Sequence, residues 1–151
     1  MEITNEFTVQ APVAQAWAIL TDVERIAPCI PGFQLEEIEG DEYRGTMKLK
    51  IGAVVMSYAS RLTFVEKDES EHRVVMRGGG REQRGQGTVD ATIVSVLQAA
   101  GDNETRVNVT ATLDVTGRIA GFGRSIMGDV SARLIDQFVQ CLETRVMAGT
   151  P

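Results

Sequence analysis

The stretch TGRIAGFGRSIMGDV, residues 116–130, carries glycines at 117, 121, 123 and 128 with apolar residues between them. A glycine-rich loop opening a helix can cradle phosphate with backbone N–H groups. The spacing departs from that chemistry. Gly121 and Gly123 begin a dinucleotide-binding pattern, but Ile126 stands where its third glycine belongs. Gly123 and Gly128 have P-loop spacing, yet Asp129 follows where a lysine is required. Two compatible readings remain. The glycines let a helix approach a sheet closely, or they leave room at a cavity mouth formed by Gly117, Gly121, Phe122 and Gly123, with Phe122 as its gate.

The other reactive residue types do not assemble into a catalytic set. His72 is the only histidine and, in the charged run ESEHR, reads as a solvated loop residue. Alternation puts Asp90 and Asp114 on the outer faces of their strands and points Arg61 outward. Tyr43 and Tyr58 face inward, where a phenol can donate to a ligand carbonyl or satisfy a local core partner. Cys29 stands near two prolines, with nothing close in sequence to activate its thiol. Two cysteines and one histidine supply no zinc site. The site therefore holds no expected catalytic residue and no metal, and the protein reads as a non-enzyme.

Composition narrows the class further. A chain of 151 residues is the size of one ordinary domain. Its net charge of −6 speaks against a nucleic-acid partner, although Arg73, Arg77, Arg81 and Arg84 form a modest local excess. The N-terminus MEITNEFTVQAPV lacks the basic and apolar regions of a secretory signal. Cys29 and Cys141 are accordingly expected as two reduced thiols in a cytoplasmic protein.

The elements follow from the periods. Ile3, Phe7 and Val9 mark a short strand; Val13, Trp17 and Leu20 mark a helix opened by Pro12. Asp22 caps a second short helix over 23–27, ended by Pro28, Pro31 and Gly32. Period-two strands then run from Phe33 to the turn at Gly40 and Asp41, from there to Ile51, and over 54–66. A strand RVVMR precedes the run Gly78, Gly79 and Gly80; another covers 85–97. Val107, Val109, Ala111, Leu113 and Val115 alternate most cleanly with polar residues. From about Ile119 the period returns to 3.6, with Ile119, Phe122, Ile126, Val130, Leu134, Phe138 and Leu142 on one stripe. That predicts a helix of roughly 25 residues, near 40 Å long. Residues 1–147 read as one domain and 148–151 as the start of a linker.

Consecutive strands with tight turns give an antiparallel meander, and only the last helix is long enough to cover its apolar face. The class is α+β. A gap between the two layers makes a cavity. Its expected walls are Met47, Leu49, Met56, Tyr58, Leu62, Val74, Met76, Ala91, Ile93, Val109, Ala111 and Leu113 from the sheet. The helix adds Phe122, Ile126, Met127, Val130 and Leu134. Small residues and flexible methionines on the inner face, with only five Phe, two Tyr and one Trp in the chain, favour space over solid packing.

The early AWAILTDVERIAPCIPGF and the late TGRIAGFGRSIMGDVSARLIDQF give the chain its resemblance to a family. It resembles the CoxG proteins of carbon monoxide dehydrogenase, in the SRPBCC or START-like helix-grip superfamily. The residues carrying the likeness are Trp17, Leu20, Thr21, Asp22, Pro31, Gly32, Gly117, Gly121 and Gly123. The resemblance implies a curved seven-stranded antiparallel sheet gripping the C-terminal helix around a hydrophobic-ligand cavity. It implies a partner, carbon monoxide dehydrogenase, and a link from that enzyme to the membrane. The expected function is a carrier of an isoprenoid quinone, menaquinone, between membrane and dehydrogenase, with the quinone as ligand and no catalytic cofactor. Such a carrier sits peripherally on the cytoplasmic face of the cell membrane. The alternatives are an adaptor that recruits the dehydrogenase without carrying a ligand, and a small-molecule cyclase or dehydratase.

Overall fold

The computed structural model describes residues 1–147, with side chains through Arg145. The expected linker at 148–151 lies outside the described residues. The chain runs β1 (Glu2–Val9), α1 (Val13–Leu20), α2 (Val23–Ile26), a 3₁₀ turn (Ala27–Cys29), then β2 (Phe33–Glu39) and β3 (Glu42–Ile51). It continues through β4 (Val54–Asp68), β5 (Arg73–Glu82), β6 (Thr88–Gly101), β7 (Glu104–Val115) and a 3₁₀ turn (Gly117–Phe122) to α3 (Gly123–Cys141). A π-helical turn, Leu142–Met147, follows. All seven strands pair antiparallel in one sheet, in the order β1-β7-β6-β5-β4-β3-β2. The sheet closes a meander by returning β1 to the β7 edge, and α3 lies against its inner face: the helix-grip arrangement that the resemblance implies.

Local chemistry explains the boundaries. Pro12 precedes α1, where its missing N–H costs nothing. The Asp22 carboxylate accepts the Arg25 N–H at 3.4 Å and starts α2. Shifts of register between Phe64 and Glu66 and between Ala99 and Gly101 are bulges that bend the long strands.

The core has two parts. Under α1 and α2, Val9, Trp17, Ile19, Val23, Phe64, Leu97, Val107 and Leu142 pack as one cluster. Near the start of α3, Ile51, Met56, Tyr58, Ile119, Met127 and Val130 form the second.

Several expectations are corrected. Cys29 and Cys141 are not free thiols: they form a disulfide, with Cα atoms 5.3 Å apart. The fold brings the turn after α2 onto the end of α3, an approach across 112 residues that local sequence does not reveal. The final helix does not begin at Ile119. Gly123 has φ +78°, a left-handed backbone that separates the 3₁₀ turn from α3. Helical phase restarts there, so Met127 and Val130 turn to the sheet while Ile126 turns outward and is 43 % exposed. β5 does not stop before the glycine run but passes through Gly78, Gly79 and Gly80 to Glu82. His72 is not simply solvated; half-buried, it lies against Trp17 with ring centroids 5.7 Å apart.

Candidate functional site

The inner face of the sheet is apolar but not packed solid. Met47, Leu49, Leu62, Ala91, Ile93, Val109, Ala111 and Leu113 are only half-buried, although they point at α3 rather than at solvent. What they face is a cavity in two lobes. The first, about 410 Å³, lies between β3–β7 and the first half of α3. The second, about 380 Å³, lies between β1, β5–β7 and the second half of α3, with Leu20, Thr21 and Ile26 closing it. Ile30, Met47, Ile93, Ser131 and Leu134 wall both lobes and form the waist between them. Each lobe is within the size range of small-molecule sites.

Strand register explains the space. One row of inward residues runs across five strands as Tyr43, Leu62, Gly78, Ala91 and Leu113. The next runs Gly45, Ser60, Gly80, Val89 and Val115. Glycine and alanine at the middle of these rows remove the side-chain volume that would otherwise meet the helix. Gly78 and Gly80 both line the first lobe. Sequence reading missed them because glycine carries no hydropathy signal, yet the period-two series Val74, Met76, Gly78, Gly80, Glu82 was available to find them.

Of the expected wall residues, the first lobe gathers Met47, Leu49, Tyr58, Leu62, Ala91, Ile93, Leu113, Met127, Val130 and Leu134. The second gathers Val74, Met76, Val109 and Ala111 with Met47, Ile93 and Leu134. Three expected residues line neither lobe. Met56 is fully buried in the second core cluster, Phe122 packs against that cluster, and Ile126 faces outward. The expected glycine mouth is also not found at the lobes. Gly117 packs against Gly87: a Cβ on it would sit 2.0 Å from the Gln86 carbonyl oxygen. Gly121 and Gly123 face open space. Ile30, Ser131, Asn5 and Ser95 are wall residues that the sequence did not single out.

Polar groups in the lobes are few. Tyr58 lines the first lobe, and its hydroxyl donates to the Met56 thioether at 3.5 Å. Burial, and after it the negative charge of Glu82, raises the Tyr58 pKa, so the phenol stays a neutral donor. A thioether is a weak acceptor, which leaves the phenol available to a stronger one. Ser60 and Ser131 add hydroxyls to the first lobe; Asn5, Thr21 and Ser95 add polar groups to the second. Among the described residues, no carboxylate or imidazole lines either lobe. Asp90 and Asp114 stand opposite each other on the outer face, both exposed.

One buried carboxylate lies outside the cavity. Glu82, 1 % exposed, accepts the Ser57 N–H at 2.9 Å and the Arg84 N–H at 2.7 Å. The Ser57 bond is the main cause of its lowered pKa. It ties the β5–β6 loop to the start of β4, an architectural role.

A model of the CoxG family of carbon monoxide dehydrogenase subunits matches residues 6–147. A conserved protein from Geobacillus kaustophilus is similar in structure, with a TM-score of 0.85 and 23 % identity over 98 % of this chain and 96 % of that one. A START superfamily protein from Mycobacterium smegmatis aligns with a TM-score of 0.65 and 14 % identity over 99 % of each chain. The Zhui aromatase/cyclase from Streptomyces sp. R1128 also gives 0.65, at 15 % identity over 100 % of this chain and 99 % of that one. At these identities the likeness is one of fold. A comparison with curated protein sequences gives no match.

Proposed function

This chain belongs to the CoxG family of carbon monoxide dehydrogenase subunits, and on that premise we propose that it is a non-catalytic carrier of a respiratory quinone, menaquinone, serving carbon monoxide dehydrogenase. Family and fold support a hydrophobic-ligand-binding role. The observation that carries the reading to a quinone is the two-lobed apolar cavity with a buried phenol at its wall. An isoprenoid tail exposed to water costs about 0.8 kcal/mol per CH₂. Moving that tail from a bilayer into an apolar cavity exchanges one apolar medium for another, so the hydrophobic term nearly cancels. Net affinity then rests on packing and on polar contacts to the head group. The Tyr58 hydroxyl supplies a donor to a quinone carbonyl, and Ser131 offers another; the Ser60 hydroxyl already donates to the Tyr58 backbone carbonyl at 3.2 Å. Such balance allows loading and release.

Among the described residues no helix is long and apolar enough to cross a membrane. We place the carrier peripherally on the cytoplasmic face of the cell membrane. The Cys29–Cys141 disulfide is the feature that bears against a reducing compartment, and thiol trapping in freshly lysed cells decides between the two faces.

Reconstitution tests the carrier. Carbon monoxide dehydrogenase, this protein and menaquinone-loaded vesicles are combined, and quinone reduction by carbon monoxide is followed. A carrier loses transfer when Ala91→Phe blocks the first lobe, while its binding to the dehydrogenase persists. A pure adaptor keeps both, and that result would overturn the proposal.

A further inference from the structure

The polar groups of the two lobes differ in what they can do. In the first lobe the distinctive one is Tyr58, a phenol that donates more readily than it accepts. In the second lobe two polar side chains rise from the sheet at one level. Asn5 on β1 and Ser95 on β6 both pair opposite Val109 of β7, and all three line the lobe. Asn5 and Ser95 therefore flank Val109 on opposite sides, with Cα atoms two strand spacings, or roughly 10 Å, apart. Helix α3 lies above them. Ile3 packs with Met127 and Val130, and Phe7 meets Phe138 with ring centroids 6.3 Å apart, so Asn5 stands level with the helical turn that carries Ser131.

These side chains are not occupied within the protein. Among the described residues neither Asn5 nor Ser95 makes a side-chain hydrogen bond. Thr21, by contrast, donates its hydroxyl to the Trp17 carbonyl at 2.7 Å. The Asn5 and Ser95 polar atoms are not sealed away either, because no fully buried side-chain nitrogen or oxygen among the described residues lacks a partner. They open onto the lobe. Asn5 brings the only side-chain carbonyl that lines either lobe among the described residues. An amide oxygen accepts two hydrogen bonds, and a serine hydroxyl accepts as well as donates.

A quinone and its reduced form require opposite partners. The two quinone oxygens only accept. Two electrons and two protons convert them to hydroxyls, and a hydroxyl left unpaired in an apolar site is unfavourable. Tyr58 suits the oxidised form and the Asn5 carbonyl suits the reduced one. We propose that Asn5 and Ser95 form a second head-group seat, in the lobe that Tyr58 does not line, which takes the dihydroxy ring of the reduced quinone. The ring lies over Val109. Its para hydroxyls point to opposite sides, one to the Asn5 amide oxygen and the other to the Ser95 hydroxyl. Ser131, which lines both lobes, serves either seat. The identity of the ligand rests on the carrier reading; the seat adds that the protein holds the product of reduction as well as the quinone.

Anaerobic spectroelectrochemical titration of the full chain loaded with menaquinone tests it. The midpoint potential of the bound couple reads the ratio of affinities for its two forms. A tenfold change in that ratio moves a two-electron couple by about 30 mV. Asn5→Leu removes the carbonyl acceptor at similar volume. It should weaken the bound quinol about tenfold relative to the quinone, and so lower the potential by about 30 mV. Ser95→Ala should lower it by a smaller amount. Tyr58→Phe removes a donor to the quinone and should raise it. Opposite shifts are the signature, because a merely structural loss weakens both forms together. If Asn5→Leu does not fold, Ser95→Ala set against Tyr58→Phe carries the comparison. An unmoved potential in the folded lobe-two variants, or a shift in the same direction as that of Tyr58→Phe, overturns the seat; Asn5 and Ser95 then only hold water. A parent protein that takes up menaquinone in neither oxidation state overturns the carrier reading and the seat with it, whereas uptake with potentials that the variants leave unmoved overturns the seat alone.

Discussion

Cys29 and Cys141 stand 112 positions apart in the chain and are joined as a disulfide with Cα atoms 5.3 Å apart. The bond fixes the turn carrying Ile30, a wall of both cavity lobes, to the end of the helix that forms the opposite wall. Closing a loop of this length removes conformational freedom from the unfolded chain worth about 4–5 kcal/mol. Denaturant unfolding with and without a dithiol reductant should show a loss of that order, and Cys29→Ser/Cys141→Ser should match the reduced protein. Identical midpoints for oxidised and reduced protein would mean that the pair is not bonded.

The space inside the sheet predicts an unusual tolerance. In a filled core, enlarging a side chain costs about 1–3 kcal/mol. Ala91 and Ala111 face the lobes, so Ala91→Phe and Ala111→Phe should cost less than that and melt close to the parent. Severe destabilisation in thermal melts would show that the inner face is packed rather than hollow.

The glycines of the helix entrance should divide sharply. Gly117 has φ +80° and its missing Cβ would clash with the Gln86 carbonyl; Gly117→Ala should cost about 1–3 kcal/mol or more. Gly121 faces open space without a left-handed backbone, so Gly121→Ala should be neutral or stabilise by a few tenths of a kcal/mol. Chemical denaturation of the two single variants measures the contrast, and equal effects would contradict it.

Glu82 makes stability depend on acid. Its folded pKa is lowered, chiefly by the Ser57 N–H, relative to an unfolded value of about 4.3. The charged form therefore stabilises the fold above that value, and the contribution disappears as pH falls through the folded pKa. Glu82→Gln should melt below the parent at neutral pH, and the gap should close in acid. A gap independent of pH would remove the buried carboxylate from the account.

Much of this was legible in the sequence. The alternation from Val107 to Val115 gave the cleanest strand because one of its faces meets water and the other the cavity. Asp22 announced its helix, and the late apolar stripe announced the gripping element. What escaped notice had physical causes. Gly78 and Gly80 hid a continuous strand because a residue without a side chain breaks a hydropathy pattern without breaking hydrogen bonding. Gly123 reset the helical phase through one backbone angle, so Ile126, on the stripe by counting, turned outward. The disulfide and the Glu82 anchor join segments distant in sequence, and no local period encodes them.

The central claim is that the two-lobed cavity holds a quinone. Purified protein is incubated with menaquinone-bearing membranes, re-isolated, extracted with organic solvent and examined by mass spectrometry. The account predicts menaquinone bound to the parent protein and absent from folded Ala91→Phe; no isoprenoid quinone on the parent, or equal amounts on both, would contradict it.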